Sequence, residues 1–164
     1  MKIGIVSDSH GKALRLRAAL AKLIERGAEA IVHCGDVGSA DCIAALGEVD
    51  VPAYACAGNM DRRHDRLAAE AGRAGVHFRP DVVMVPLGDG RCLAAAHGND
   101  PAALARLVDS EAVCYVCHGH THRRRDDRVG AKRVINPGAL RHANPPGVAL
   151  LDTDTDTLEY LDLP

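Results

Sequence analysis

The chain is nearly devoid of aromatic side chains, with no Trp, one Phe and three Tyr in 164 residues. A core of the size this length allows must therefore be built from Ala, Val, Leu and Ile. A surplus of charge is also missing. Twenty Lys and Arg face 22 Asp and Glu, a net of −2. That balance gives no global pull toward nucleic acid or an anionic membrane, although a local basic patch stays open. No apolar run approaches the roughly 18 residues of a membrane span. The N-terminal MKIGIVSDSH is broken by Asp8 before it could serve as a signal-peptide core. These absences predict a cytoplasmic protein with no membrane partner and no nucleic-acid partner. Linkers, repeats and low-complexity segments are lacking too, so one domain over 1–164 is expected.

Six cysteines are present: Cys34, Cys42, Cys56, Cys92, Cys114 and Cys117. Without a secretory signal, and with a core this large, free thiols are expected rather than a disulfide framework. Cys114 and Cys117 form C-x-x-C inside the apolar AVCYVC. In a regular strand, residues three apart face opposite sides, which predicts no shared metal or redox pair.

Period and punctuation divide the chain into short elements. KIGIVS (2–7), AIVHCG (30–35) and PAYACAGN (52–59) read as buried strands. Helical spacing over 12–27, 40–47 and 62–75 places helices between and after them, and Gly27 offers a stop. Strand and helix in alternation imply a parallel sheet covered by helices. The grammar then changes. DVVMVPLGDGRCLAAAHGN holds Asp89-Gly90 between two apolar runs, a hairpin signal. PAALARLVDS (101–110) is a helix with Pro101 near its start. EAVCYVCHG, AKRVINPG, GVALLDTD and TLEYLDL supply four more strands, mostly antiparallel. The fold class expected is α/β: a four-layer sandwich of two packed mixed sheets flanked by helices.

Chemistry gathers at strand ends. The first strand runs into Asp8-Ser9-His10, the second into Gly35-Asp36, and the third into Gly58-Asn59. Later strands run into His97-Gly98 and Gly119-His120-Thr121-His122. Ligands of open α/β sheets bind beyond the carboxyl ends of strands, so these residues can meet at one edge. Four imidazoles, two carboxylates and an amide oxygen exceed the needs of one tetrahedral ion and suit two, with a bridging carboxylate. Nitrogen and oxygen donors without thiolate fit Mn, Fe, Co, Ni or Zn better than Mg or Ca. Each fragment alone is common in turns, caps and surface loops; the ordered set is the signal.

That set, DSH, GD, GN, HG and GHTH, resembles the calcineurin-like metallophosphoesterases over nearly the whole chain. GNMD (58–61) and NPGAL (136–140) look like the small bacterial and archaeal phosphodiesterase subfamily. The resemblance implies the four-layer fold and a ligand assignment. One divalent transition-metal ion falls to Asp8, His10, Asp36 and His122. A second falls to Asp36, Asn59, His97 and His120, with Asp36 bridging and His118 outside the set. Manganese leads the candidate metals, and Asp36, Asn59 and His97 are the implied catalytic residues. Two ions, two carboxylates and a bridging hydroxide leave a site of about +1, suited to a phosphoryl group and to in-line attack by that hydroxide. The implied activity is a hydrolase of small phosphate esters, most simply a phosphodiesterase. The competing reading is a non-catalytic metal-binding scaffold that works through protein partners, as in a eukaryotic trafficking subunit of similar fold. Small members of the family often self-associate, so a homo-oligomer is a further expectation.

One position departs from larger members, which carry histidine after G-N as an aid to the leaving group. Here it is Met60, which transfers no proton. The adjacent Asp61 reads equally as a helix cap. Arg141 and His142 are the residues expected to touch substrate. Arg123, Arg124 and Arg125 read as a solvated basic loop that could, with Arg62 and Arg63, rim the pocket. His33, His64 and His77 carry no assigned role.

Overall fold

The computed structural model describes residues 1–88 and 90–164, so Asp89 of the expected hairpin turn lies outside the described residues. The order is β1 (Lys2–Val6), α1 (Ala13–Glu25), β2 (Ala30–Cys34), α2 (Ala40–Gly47), β3 (Ala53–Cys56), α3 (His64–Ala74) and β4 (His77–Arg79). Then come β5 (Val82–Gly88), β6 (Arg91–Ala96), α4 (Pro101–Asp109), β7 (Val113–Cys117), β8 (Arg125–Val129), β9 (Lys132–Asn136), β10 (Gly147–Asp152) and β11 (Thr157–Asp162). Helix starts follow local chemistry. The Ser39 side chain accepts from Cys42 N at α2, and Asp100 accepts from Ala102 N and Ala103 N ahead of Pro101 at α4.

Two sheets form, in the orders β11-β10-β1-β2-β3-β4 and β5-β6-β7-β9-β8. In the first, β1 to β4 run parallel, β10 returns antiparallel to β1, and β11 is antiparallel to β10. In the second, the central β6, β7 and β9 are parallel, and the edges β5 and β8 are antiparallel to them.

Three apolar clusters correspond to the three contacts between four layers. One joins Leu16, Leu20 and Leu23 of α1, Ile43 and Leu46 of α2, and Leu67 of α3 to Ile31, Ala55 and Leu150 of the first sheet. The second lies between the sheets, with Ile3, Ile5 and Val32 meeting Val85, Leu93 and Ile135. The third sets Ala94, Val116 and Val134 against Leu104, Leu107 and Val108 of α4. Alternation of side chains along each strand is what lets one strand serve two clusters. The expected α/β four-layer sandwich is the fold observed.

Two strands escape a reading by apolar period. β4 is only His-Phe-Arg. β8, Arg-Asp-Asp-Arg-Val, is mostly exposed and is held by its backbone ladder to β9. The arginine run is correspondingly not a free basic loop. Arg124 packs over the Tyr160 ring at 4.9 Å and pairs with Asp162, while Arg125 opens β8 and binds Asp127 at 2.6 Å. All six cysteines are free thiols. A register shift between Cys92 and Leu93 breaks the alternation of β7, so Cys114 as well as Cys117 packs on the inter-sheet cluster.

Candidate metal centre

The loops after β1, β2, β3, β6 and β7 meet at one edge of the sandwich. Asp8 N donates to Gly35 O at 3.1 Å, and Gly119 N to His97 O at 3.0 Å. His97 Nδ1 reaches across to Cys34 O at 3.0 Å, which ties the second sheet to the first. Glycine permits this closeness. A Cβ at Gly58 would fall on the Asp36 carboxylate, and one at Gly119 on Ser7 Oγ and Asp8 Oδ2.

Each carboxylate has one oxygen tied and one presented. Asp8 Oδ2 accepts from Ser7 Oγ at 2.6 Å and from His120 N at 3.2 Å, whereas the buried Asp8 Oδ1 has no hydrogen-bond partner. Oδ1 lies 3.1 Å from His122 Nε2 and 3.8 Å from His10 Nε2, itself buried without a hydrogen bond. Asp36 Oδ1 accepts from Met60 N at 2.8 Å. Asp36 Oδ2 lies 3.4 Å from His97 Nε2 and 3.8 Å from His10 Nε2. With Nδ1–H donated to Cys34 O, Nε2 of the neutral His97 ring carries a lone pair. It sits 3.0 Å from Asn59 Oδ1, which is 3.1 Å from His120 Nδ1. Unshared pairs converging in this way repel unless a proton or a cation lies between them, and backbone anchoring of the far ring nitrogen is how metal-binding histidines are oriented. The ligand atoms of Asp8, His10 and His122 lie within 4.8 Å of one another, as do those of Asp8, Asp36 and His97. The donor set fits divalent cations.

Electrostatics agree. Burial works to raise the Asp36 carboxyl, but His97, the Met60 amide and His10 outweigh it and hold it below the usual range. Burial works to lower His97, and Asp36 and the Cys34 carbonyl outweigh it and hold it up.

The backbone is strained here. Among the described residues, seven non-glycines have left-handed φ, and six of them are Asp8, His10, Asp36, His120, His122 and His142. Such conformations cost of order 1–3 kcal/mol each and cluster at functional sites.

Supports hold the strain, and most of them were not legible beforehand. Asp61, 4% exposed, accepts from Val37 N at 2.9 Å, Gly38 N at 2.7 Å and Gly58 N at 2.9 Å. It therefore clamps the loops of Asp36 and Asn59 together, rather than capping α3. His33 is fully buried, with Nε2 2.9 Å from the hydroxyl of Ser9, the residue between Asp8 and His10. Asn136 donates to Gly119 O at 2.8 Å and Thr121 Oγ1 at 3.1 Å, which fixes the G-H-T-H loop. His118 is buried beside it, with Nδ1 3.1 Å from Gly119 O. The GNMD stretch (58–61) places Asp61 in the loop that it clamps, but nothing in the sequence names its amide partners, and nothing distinguishes His33.

At the mouth, His142 lies parallel to His122 at 6.2 Å and edge-on to His10 at 5.7 Å. The Arg141 N–H donates to Asp8 O at 3.2 Å. Met60 is 57% exposed. On the far side, Asn59 and His97 line a cleft of about 760 Å³.

Relatives share this chain's proportions. It is similar to a phosphodiesterase of Methanocaldococcus jannaschii, 29% identical over 157 residues that cover 94% of each chain. The solved structure of an archaeal phosphodiesterase superposes with a TM-score of 0.88 at 28% identity, covering 99% of this chain and 100% of that one. Vps29 of Entamoeba histolytica, solved with Zn²⁺, shares the fold at a TM-score of 0.61 and 17% identity, with 99% of both chains covered. The sequence pattern of the calcineurin-like phosphoesterase superfamily domain matches residues 1–156. With the fold and so long a match in agreement, the chain belongs to the calcineurin-like phosphoesterase superfamily.

Proposed function

We propose that residues 1–164 act as one domain, a dinuclear metal-dependent phosphodiesterase hydrolysing small phosphate esters in the cytoplasm. The observation that carries the reading is Asp36 Oδ2, which faces both His10 Nε2 and His97 Nε2. Asp8, His10, Asp36 and His122 would hold one ion, and Asp36, Asn59, His97 and His120 the other, with manganese the first candidate. Ions held there supply an activated water and offset charge on the phosphoryl oxygens. The chain's own residues do the rest. Asp36, Asn59 and His97 fix the reacting centre. Asp8 Oδ2 and Asp36 Oδ1 stay bound to protein donors, so neither carboxylate turns away. Arg141 and His142 would meet a phosphate oxygen from the His122 side. Met60 offers no proton, so the leaving oxygen departs as its anion.

The scaffold reading draws on the fold shared with Vps29 and on Met60. The complete donor set favours the enzyme. The test is metal analysis of purified protein together with hydrolysis of bis(p-nitrophenyl) phosphate. Two ions per chain and Mn²⁺-dependent, chelator-sensitive turnover are expected. Bound metal with no hydrolysis of any mono- or diester would turn the reading to the scaffold.

A further inference from the structure

Met60 and Arg62 stand where the Asn59 loop leaves the metal centre, with a cavity on either side of Arg62. The cleft of about 760 Å³ begins at Asn59 and His97 and is walled by Pro80, Val82 and Ala103, with Arg62 and Arg106 on its lining. That volume lies within the roughly 300–1,000 Å³ of small-molecule sites. On the other side, a cavity of about 390 Å³ is lined by Met60, Arg62, Arg63 and Arg66. Arg62 lines both.

The acids nearby do not neutralise this ridge. Asp61 is buried on three backbone amides. Asp65 is taken by Arg63 at 3.3 Å. Asp100 Oδ1 caps α4, and its Oδ2 is 3.9 Å from Arg106. Asp81 lines the cleft and is the one carboxylate there without such a role. Among the described residues, neither Arg62 nor Arg66 is in an ion pair. Arg62 and Arg66 thus leave positive charge in excess beside the centre, where an ester group lying over Asn59 would extend, and Asp81 on the cleft lining offsets it only in part. The cleft lining contains no Phe, Tyr or Trp, which leaves a base only the smaller ring of His64 and the arginine planes to stack on.

We propose that the natural substrate is a phosphodiester whose larger arm, of nucleoside size, carries a second phosphate, held by Arg62, which lines both cavities, with Arg106 on the cleft and Arg66 on the cavity behind it. The inference rests on the phosphodiesterase reading above. Phosphate carries up to two charges and three acceptor oxygens, which suits several guanidinium forks better than a carboxylate does. Selectivity should therefore follow the second phosphate more than the base.

The experiment compares the p-nitrophenyl ester of thymidine 5′-phosphate with the same ester bearing a 3′-phosphate, using Mn²⁺-loaded protein. The 3′-phosphorylated ester should show about tenfold higher kcat/KM, the scale expected of two exposed charge-assisted contacts. The ratio should fall to near one in Arg62→Gln/Arg66→Gln and should shrink with added salt. Arg73→Gln, on α3 and paired with Glu70, should leave it unchanged. Calorimetric titration of the same proteins with thymidine 3′,5′-bisphosphate and thymidine 5′-phosphate reads the same ratio without turnover. If no ester is cleaved, the phosphodiesterase reading fails, while the binding ratio still decides the second-phosphate site. Equal affinities in the natural protein, or a preference that survives the double substitution, would overturn the proposal.

Discussion

The backbone N–H of Met60 donates to Asp36 Oδ1 at 2.8 Å. This one contact turns the Asp36 carboxylate so that Oδ2 faces His10 and His97 together. It also explains how a residue without proton chemistry keeps a role beside the centre, since the bond uses only its main chain.

Asp36→Asn should reduce occupancy of both ions, because it removes a negative charge that faces His10 and His97 alike. Metal content after gel filtration is the measurement. Two fully bound ions with normal turnover would refute the bridge.

Asp61→Ala should cost about 2–4 kcal/mol of stability, since three amides lose a charged acceptor. Because the clamp orients the Asp36 and Asn59 loops, metal affinity should fall about 10–100-fold as well. Thermal unfolding of the metal-free protein and a Mn²⁺ titration separate the two effects. Unchanged values in both would mean that the loops hold their shape without the clamp.

Acid should destabilise the protein partly through His33. Burial, with His97 adding to it, pushes this imidazole down to about 3 from its ordinary 6.5. The unfolded chain therefore takes up a proton that the folded chain refuses. The contribution is fully present above pH 6.5 and is lost as pH falls toward 3, with a slope of up to about 1.4 kcal/mol per pH unit. His33→Gln keeps a partner for Ser9 and should flatten that slope. Urea unfolding of metal-free protein across pH 7 to 4 compares them, and identical slopes would sink the idea.

Met60→His should narrow the gap between nitrophenyl and alkyl diesters, since general-acid help is worth about 10²–10⁴-fold. Rate plotted against leaving-group pKa for both proteins is the check. A flat line in the natural protein would mean that another group already supplies the proton.

Thiol counting tests the redox state. Cys34, Cys42, Cys56 and Cys117 are buried, while Cys92 and Cys114 are partly exposed. A thiol reagent should find those two quickly in the native protein and all six after denaturation without reductant. Cross-linked peptides by mass spectrometry would reverse the reading.

The sequence by itself determined the layers and the strand-end pattern. Apolar period distinguishes strand from helix, and a residue that ends a parallel strand is carried to a common edge whatever the loops do. That is why Asp8, Asp36, Asn59, His97 and His120 were legible as one group. Period says nothing of a three-residue strand with one buried side chain or of an exposed, charged strand, so β4 and β8 were not legible, and neither was the bulge that turns Cys114 inward. Tertiary structure alone decided which oxygen of Asp8 is free, that Asp61 binds three amides, and that His33 supports Ser9 from an adjacent strand. Those are hydrogen bonds between loops distant along the chain. Their partners are chosen by packing, and each side chain's own type permits many others.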